Sequence, residues 1–131
     1  MTGFQPQEHF LRADLRLLKG AREFAERVAV DFGLANGACY QVKLAMSEAV
    51  TNAIQHGSSS PNDPIRIWAA EEQGALVFEV LDTGRFRPSV ARRGDPLPDS
   101  GRGLEFLRLL MDEVDVRPST DGTLLRFAKK R

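Results

Sequence analysis

Glu48, Asn52 and His56 recur at four-residue intervals in the run Ser47-Glu48-Ala49-Val50-Thr51-Asn52-Ala53-Ile54-Gln55-His56-Gly57. An α-helix turns by about 100° per residue, so each such step moves only about 40° around the axis. The three polar side chains therefore form one short stripe. Val42, Ala45, Ala49 and Ala53 run down the adjoining face, which is expected to be the buried one. A carboxylate and a carboxamide at the edge of a core are costly to bury without partners. Oxygen ligands on a rigid helix suit a hydrated Mg²⁺ and a positioned nucleophile.

Two further segments carry residue types with chemical use. Asp82-Thr83-Gly84 follows an apolar strand pattern, and Gly101-Arg102-Gly103 precedes a helical one. Glycines at a helix N-terminus expose backbone N–H groups, and the helix dipole favours an anion there. Arg102 lies between them and is as well placed for a phosphate as for solvent.

The elements that must position these groups are legible as patterns. Residues 9–15 alternate weakly and are expected to form an edge strand. Leu18, Ala21, Ala25, Val28 and Phe32 recur at helical spacing between residues 16 and 35. Gly33 and Asn36-Gly37 are expected to break that helix. A second helix is expected from about Ala38 to Gln55, stopping at Gly57 as a C′ residue. Residues 65–69 and 76–81 read as a hairpin turning at Gly74. A helix from Leu104 to Met111 follows, opened by Gly101 to Gly103. Residues 114–117 and 123–128 read as two last strands around the Asp121-Gly122 turn. Residues 85–100 lack periodicity and hold three prolines and four arginines, and such a stretch inside a compact domain is usually functional or mobile. The order predicts an α+β fold, a two-layer sandwich of a mixed, mainly antiparallel sheet with helices on one face.

The chain has 131 residues and formal net charge zero. That length gives a single domain with a real core, and the charge gives no electrostatic footprint for nucleic acid or membrane. The single cysteine, Cys39, excludes an intrachain disulfide and is expected to be a small core residue. No apolar run reaches the roughly 18 residues of a membrane span, and a cytoplasmic setting is expected. The first eight residues and the last few are expected to be disordered.

Together the Ser-Glu-Ala-Val-Thr-Asn-Ala-Ile-x-His-Gly run, Asp82-x-Gly84, Gly101-x-Gly103-Leu104 and Met111-Asp112-Glu113-Val114 resemble the GHKL superfamily of gyrase, Hsp90, histidine kinase and MutL ATPases. Within it the chain is similar to the anti-sigma-factor serine kinases of the RsbW and SpoIIAB type, from about residue 10 to 129. The resemblance implies a Bergerat, histidine-kinase-like ATPase fold over the whole chain, with residues 85–100 as an ATP lid. It implies Mg²⁺ held by Asn52, Glu48 as the base acting on a serine hydroxyl, and Asp82 accepting from the adenine amino group. Gly84, Gly101, Arg102, Gly103, Leu104 and Thr123 would complete the nucleotide site. Asp82 as acceptor would oppose the guanine oxygen, which favours ATP over GTP.

The implied activity is that of an anti-sigma factor with ATP-dependent protein serine kinase activity. Its substrate would be a STAS-domain anti-anti-sigma protein, its client a sigma factor, and its assembly a homodimer. Competing with this are a nucleotide-gated switch that transfers nothing and the detached ATPase domain of a histidine kinase. The latter normally has a phospho-accepting histidine in a dimerisation hairpin, and the first long helix has none. A simple turn accounts for Asp82-Thr83-Gly84 or Gly122-Thr123 taken alone, and solvation for Arg85, Arg87, Arg92 and Arg93. His56 is expected to be structural, and Ser47 and Thr51 to pack or cap. Many superfamily members carry a second glycine at the position of Phe86, and its loss here bears on the lid.

Overall fold

The computed structural model describes residues 3–84, 99–119 and 122–131. Five strands form one sheet: β1 (Gln7–Arg12), β2 (Pro64–Glu72), β3 (Ala75–Asp82), β4 (Glu113–Ser119) and β5 (Gly122–Lys130). Their spatial order is β1-β2-β3-β5-β4, and all four pairings are antiparallel. The expected mixed sheet is thus wholly antiparallel among the described residues. Three helices cover one face: α1 (Leu18–Phe32), α2 (Asn36–His56) and α3 (Asp99–Leu110). The architecture is the expected two-layer α+β sandwich.

Period-two burial fixes the register. Ile65, Ile67 and Ala69 of β2, with Leu76, Phe78 and Val80 of β3, point at the helices and are buried. Val42, Ala45, Ala49 and Ala53 of α2 meet them, as the stripe argument requires. Phe78 stacks on Phe127 of β5 at 5.4 Å. Helix α3 lies against α2 and is anchored by the buried Leu107 and Met111. Cys39 is buried, and its Sγ donates to the Leu34 carbonyl at 3.4 Å.

Several boundaries move. Asn36 and Gly37 open α2 instead of preceding it, because the break is made earlier by Gly33 in the left-handed region (φ 98°). The β2–β3 turn uses Gln73 and Gly74, both at positive φ, as a two-residue hairpin with I′-type twist requires. Helix α3 begins at Asp99, five residues before the predicted start. Residues 99 and 100 therefore leave the predicted loop, while the rest of it, with Phe86 and the four arginines, lies outside the described residues. The chain ends are also more ordered than expected. Gln7 and Glu8 pair with β2, Lys129 and Lys130 with β3, and Phe4 packs edge-on against Phe32 at 5.4 Å. Arg131 donates from Nε and Nη2 to the Phe32 carbonyl and lies 4.2 Å from that ring's centroid. It thereby satisfies a carbonyl in the last turn of α1.

Candidate functional site

The last turns of α2 face the ends of β3 and β5 across a cavity of about 80 Å³. Ala49, Ala53, Val80, Leu104, Val116 and Leu125 give it an apolar lining. Asn52, His56, Asp82 and Thr123 supply the polar side chains. An apolar slot with a few convergent polar groups is the usual form of a small-molecule site. The small side chains of Ala49 and Ala53, one helical turn apart, leave the space.

Asp82 is the one charged side chain buried among the described residues, at 7% exposure. Burial pushes its carboxyl up to about 6, and backbone N–H groups of Gly84 and Thr123 oppose the shift. The Gly84 N–H donates to Oδ1 at 2.9 Å. Thr123 Oγ1 donates to the Gly84 carbonyl at 3.2 Å, tying the end of β5 to the end of β3. A carboxylate has acceptor capacity beyond these two donors, so the arrangement suits a ligand that supplies a further one.

Glu48 and Asn52 are half-buried one turn apart on α2 and converge on α3. A Cβ added to Gly103 would stand 2.8 Å from Asn52 Nδ2, 3.2 Å from Asn52 Oδ1 and 3.2 Å from Glu48 Oε2. Both side chains thus reach one point at the start of α3. Asn52 also lines the cavity, whereas Glu48 does not. The slot around Asp82 and the oxygen pair at α3 are continuous through Asn52.

The sequence model of the histidine kinase-like ATPase domain matches residues 11–129. The chain belongs to that family. Among the relatives of this histidine kinase-like ATPase domain is the anti-sigma F factor of Clostridium acetobutylicum, 36% identical over 97 residues and 68% of each chain. The anti-sigma F factor of Geobacillus stearothermophilus is 34% identical over 98 residues, which is 69% of this chain and 67% of that one. In fold, the domain resembles a chain containing the RsbU and RsbW domains of a Mycobacterium tuberculosis protein. There the TM-score is 0.74 at 20% identity, over 96% of this chain and 32% of that one. The histidine kinase domain of the Erythrobacter litoralis blue-light activated histidine kinase aligns with a TM-score of 0.59 at 19% identity, over 83% of this chain and 60% of that one.

Membership of an ATPase family implies ATP as the ligand. The donor set fits it: an apolar slot with a buried acceptor for a base, and hard oxygen donors nearby for a phosphate-bound cation. Asn52 is the residue that would hold Mg²⁺.

The histidine kinase-like ATPase domain brings most of the expected residues together. Asn52, Asp82, Leu104 and Thr123 share the cavity. Gly84 is outside the lining and is tied to Asp82 and Thr123 by hydrogen bonds. Gly101 lies in the first turn of α3, where N–H groups lack intrahelical partners. Gly103 lies one half-turn further and its N–H belongs to the helix ladder. Its bare Cα allows a close approach to Asn52 and Glu48 of α2. Arg102 is in the same turn, and its side chain is outside the described residues. His56 lines the cavity from an exposed position. Sequence reasoning missed Val80, Val116 and Leu125, which look like any other strand apolar residues. It also misread Gly57, whose φ of −102° is ordinary and which is therefore not a left-handed C′ glycine.

Proposed function

We propose that the chain is an anti-sigma factor that binds Mg·ATP and phosphorylates a serine on a STAS-domain anti-anti-sigma protein. The observation that carries this reading is the convergence of Asn52 and Asp82 on one apolar cavity, with Glu48 one turn away at the start of α3. The anti-sigma F factor relatives supply the regulatory context.

In this reading Asp82 selects adenine by accepting from its amino group. The slot's alanines and valines exclude water from the ring. Asn52 would hold Mg²⁺ through its carbonyl, and the free N–H groups of α3, Gly101 among them, bind a phosphate oxygen. Bound Mg²⁺ neutralises phosphate charge. Glu48 accepts the proton of the serine hydroxyl as its oxygen bonds to the γ-phosphorus and the bond to the β–γ bridging oxygen breaks, leaving ADP. Most of the rate enhancement comes from positioning and charge neutralisation.

The client is a sigma factor, the setting is the cytoplasm, and the working assembly is a homodimer. The sheet face away from the helices supports a dimer. Phe10, Trp68, Leu81 and Leu124 lie on it, with Phe10 65% exposed, and no element of the chain covers them among the described residues.

A competition experiment tests the switch. The chain is bound to its sigma factor with Mg·ATP, and unphosphorylated STAS-domain antagonist is added. The antagonist should release the sigma factor at once, and recapture should follow on incubation with ATP but not with a non-hydrolysable analogue. Sigma factor that stays bound, or recapture that ignores hydrolysis, contradicts the reading.

A further inference from the structure

Gly57 is glycine for a reason its backbone does not show. Its φ and ψ of −102° and 0° are open to any residue, and its N–H caps α2 by donating to the Ala53 carbonyl at 3.1 Å. What excludes a side chain is Asp82. A Cβ on Gly57 would lie 2.1 Å from Asp82 Oδ2, 2.4 Å from Cγ and 2.8 Å from Oδ1. The whole carboxyl group is within that radius, so rotating it about its own axis only exchanges one clash for another.

Retreat is blocked on the other sides. Gly84 holds Oδ1 through its N–H, and a Cβ there would stand 1.7 Å from the Gly57 carbonyl oxygen. Gly122, at φ 151°, comes so close that a Cβ would lie 1.8 Å from the Asp82 carbonyl oxygen. The bare Cα of Gly57 thus packs on the carboxylate itself, while those of Gly84 and Gly122 let the chain close on the backbone of Gly57 and of Asp82. The carboxylate is held at the wall of the cavity between the Gly57 Cα and the Gly84 N–H.

We infer that Gly57 is a specificity-determining positioning residue, whose missing side chain lets the end of α2 set the Asp82 carboxylate to accept a hydrogen bond from the 6-amino group of a purine. This rests on the Mg·ATP reading of the cavity and adds to it a lining residue that acts through Asp82. Hydrogen bonds weaken steeply off axis, and the carboxylate or the helix end must shift by more than about 1 Å to reach ordinary contact distance. Selectivity, rather than phosphate affinity, is what such a shift removes.

The test compares Mg·ATP with purine riboside triphosphate, which has the same phosphates and lacks the amino group. Affinities are measured by calorimetry for the parent, Gly57→Ala, Asp82→Ala and the double variant. The parent should prefer ATP by about tenfold or more, as a hydrogen bond to a charged acceptor implies. Gly57→Ala should bring the preference to about threefold or less, by weakening ATP more than purine riboside triphosphate. In the Asp82→Ala background Gly57→Ala should change the preference no further. A Gly57→Ala protein with the parent's preference overturns the inference. A parent that binds neither nucleotide, or binds both equally, overturns the adenine reading instead. Melting temperatures keep the test decisive if Gly57→Ala folds poorly. Truncating Asp82 should then restore folding, since the clash is with its carboxyl group. Equal damage from Gly57→Ala with and without that group overturns the inference.

Discussion

At the scale of single residues, Asp82 is where the protein concentrates its chemistry. Its carboxyl titrates near 6 in the folded chain against 3.8 in the unfolded one, because burial penalises the charge. The folded state therefore holds a proton that the unfolded chain has released between those values. The stabilisation from that proton is complete below pH 3.8 and is lost as pH rises through about 6. Urea unfolding of the parent and of Asp82→Asn, measured from pH 4 to 7, should show the parent losing stability relative to the variant across this window. Parallel curves would contradict the buried carboxyl. Glu48 and Asn52 were legible in the sequence because their relation is local, one helical turn apart. Gly57 was not, since what makes it necessary is a carboxylate 25 residues further along the chain, brought over it by the sheet. Its position at a helix end gave a sufficient local explanation that happened to be the wrong one.

At the scale of elements, α3 links the slot to the phosphate side by sitting directly on Glu48 and Asn52. Gly103 makes that approach possible. Alanine in a helix is favoured over glycine by about 1 kcal/mol, and the atoms a Cβ would meet are the far ends of two side chains that can turn aside. Gly103→Ala should therefore leave stability within about 1 kcal/mol of the parent. By displacing Asn52 it should weaken Mg·ATP binding roughly tenfold, against a smaller change for ATP without Mg²⁺. Denaturant titration and calorimetry on the same variant check both halves, and equal losses with and without the cation would contradict Asn52 as its holder. The helix start at Asp99 was hidden in the sequence because glycines 101 and 103 look like breakers. Tertiary packing against α2 outweighs their low propensity. The same override puts Asn36 and Gly37 inside α2. Strand ends such as Gln7-Glu8 and Lys129-Lys130 carried no apolar signal, and backbone pairing with β2 and β3 extends them past what alternation could show.

At the scale of the whole molecule, one sheet face is spent on the helices, and on the other, among the described residues, Phe10 is exposed while Ala75, Val77 and Ala128 form a small buried cluster. The register lays Phe10, Arg66, Leu81, Leu124 and Arg117 in one row and Glu8, Trp68, Glu79, Arg126 and Asp115 in the next. Its charges are already paired within the chain, Arg66 with Glu8, Arg126 with Glu72 and Glu79, and Arg117 with Asp115. A face with no surplus charge selects no oppositely charged partner and suits a second copy. Strand spacing and length give it roughly 700 Å², close to the approximately 800 Å² each partner contributes to a standard interface. If the proposed homodimer uses this face, Ala70→Arg, in the next row, should give a monomer by light scattering and leave Mg·ATP affinity within about threefold, because the cavity lies on the helical side of the sheet. A dimer that survives this substitution contradicts the assignment of the face. The central claim, a kinase built around Glu48, is tested most directly by transfer of labelled γ-phosphate from Mg·ATP to the STAS-domain partner. Serine labelling that falls at least about 100-fold in Glu48→Ala, with ATP affinity within about threefold of the parent, is the predicted result. Labelling that persists in Glu48→Ala, or tight ATP binding with no transfer by the parent, would contradict it.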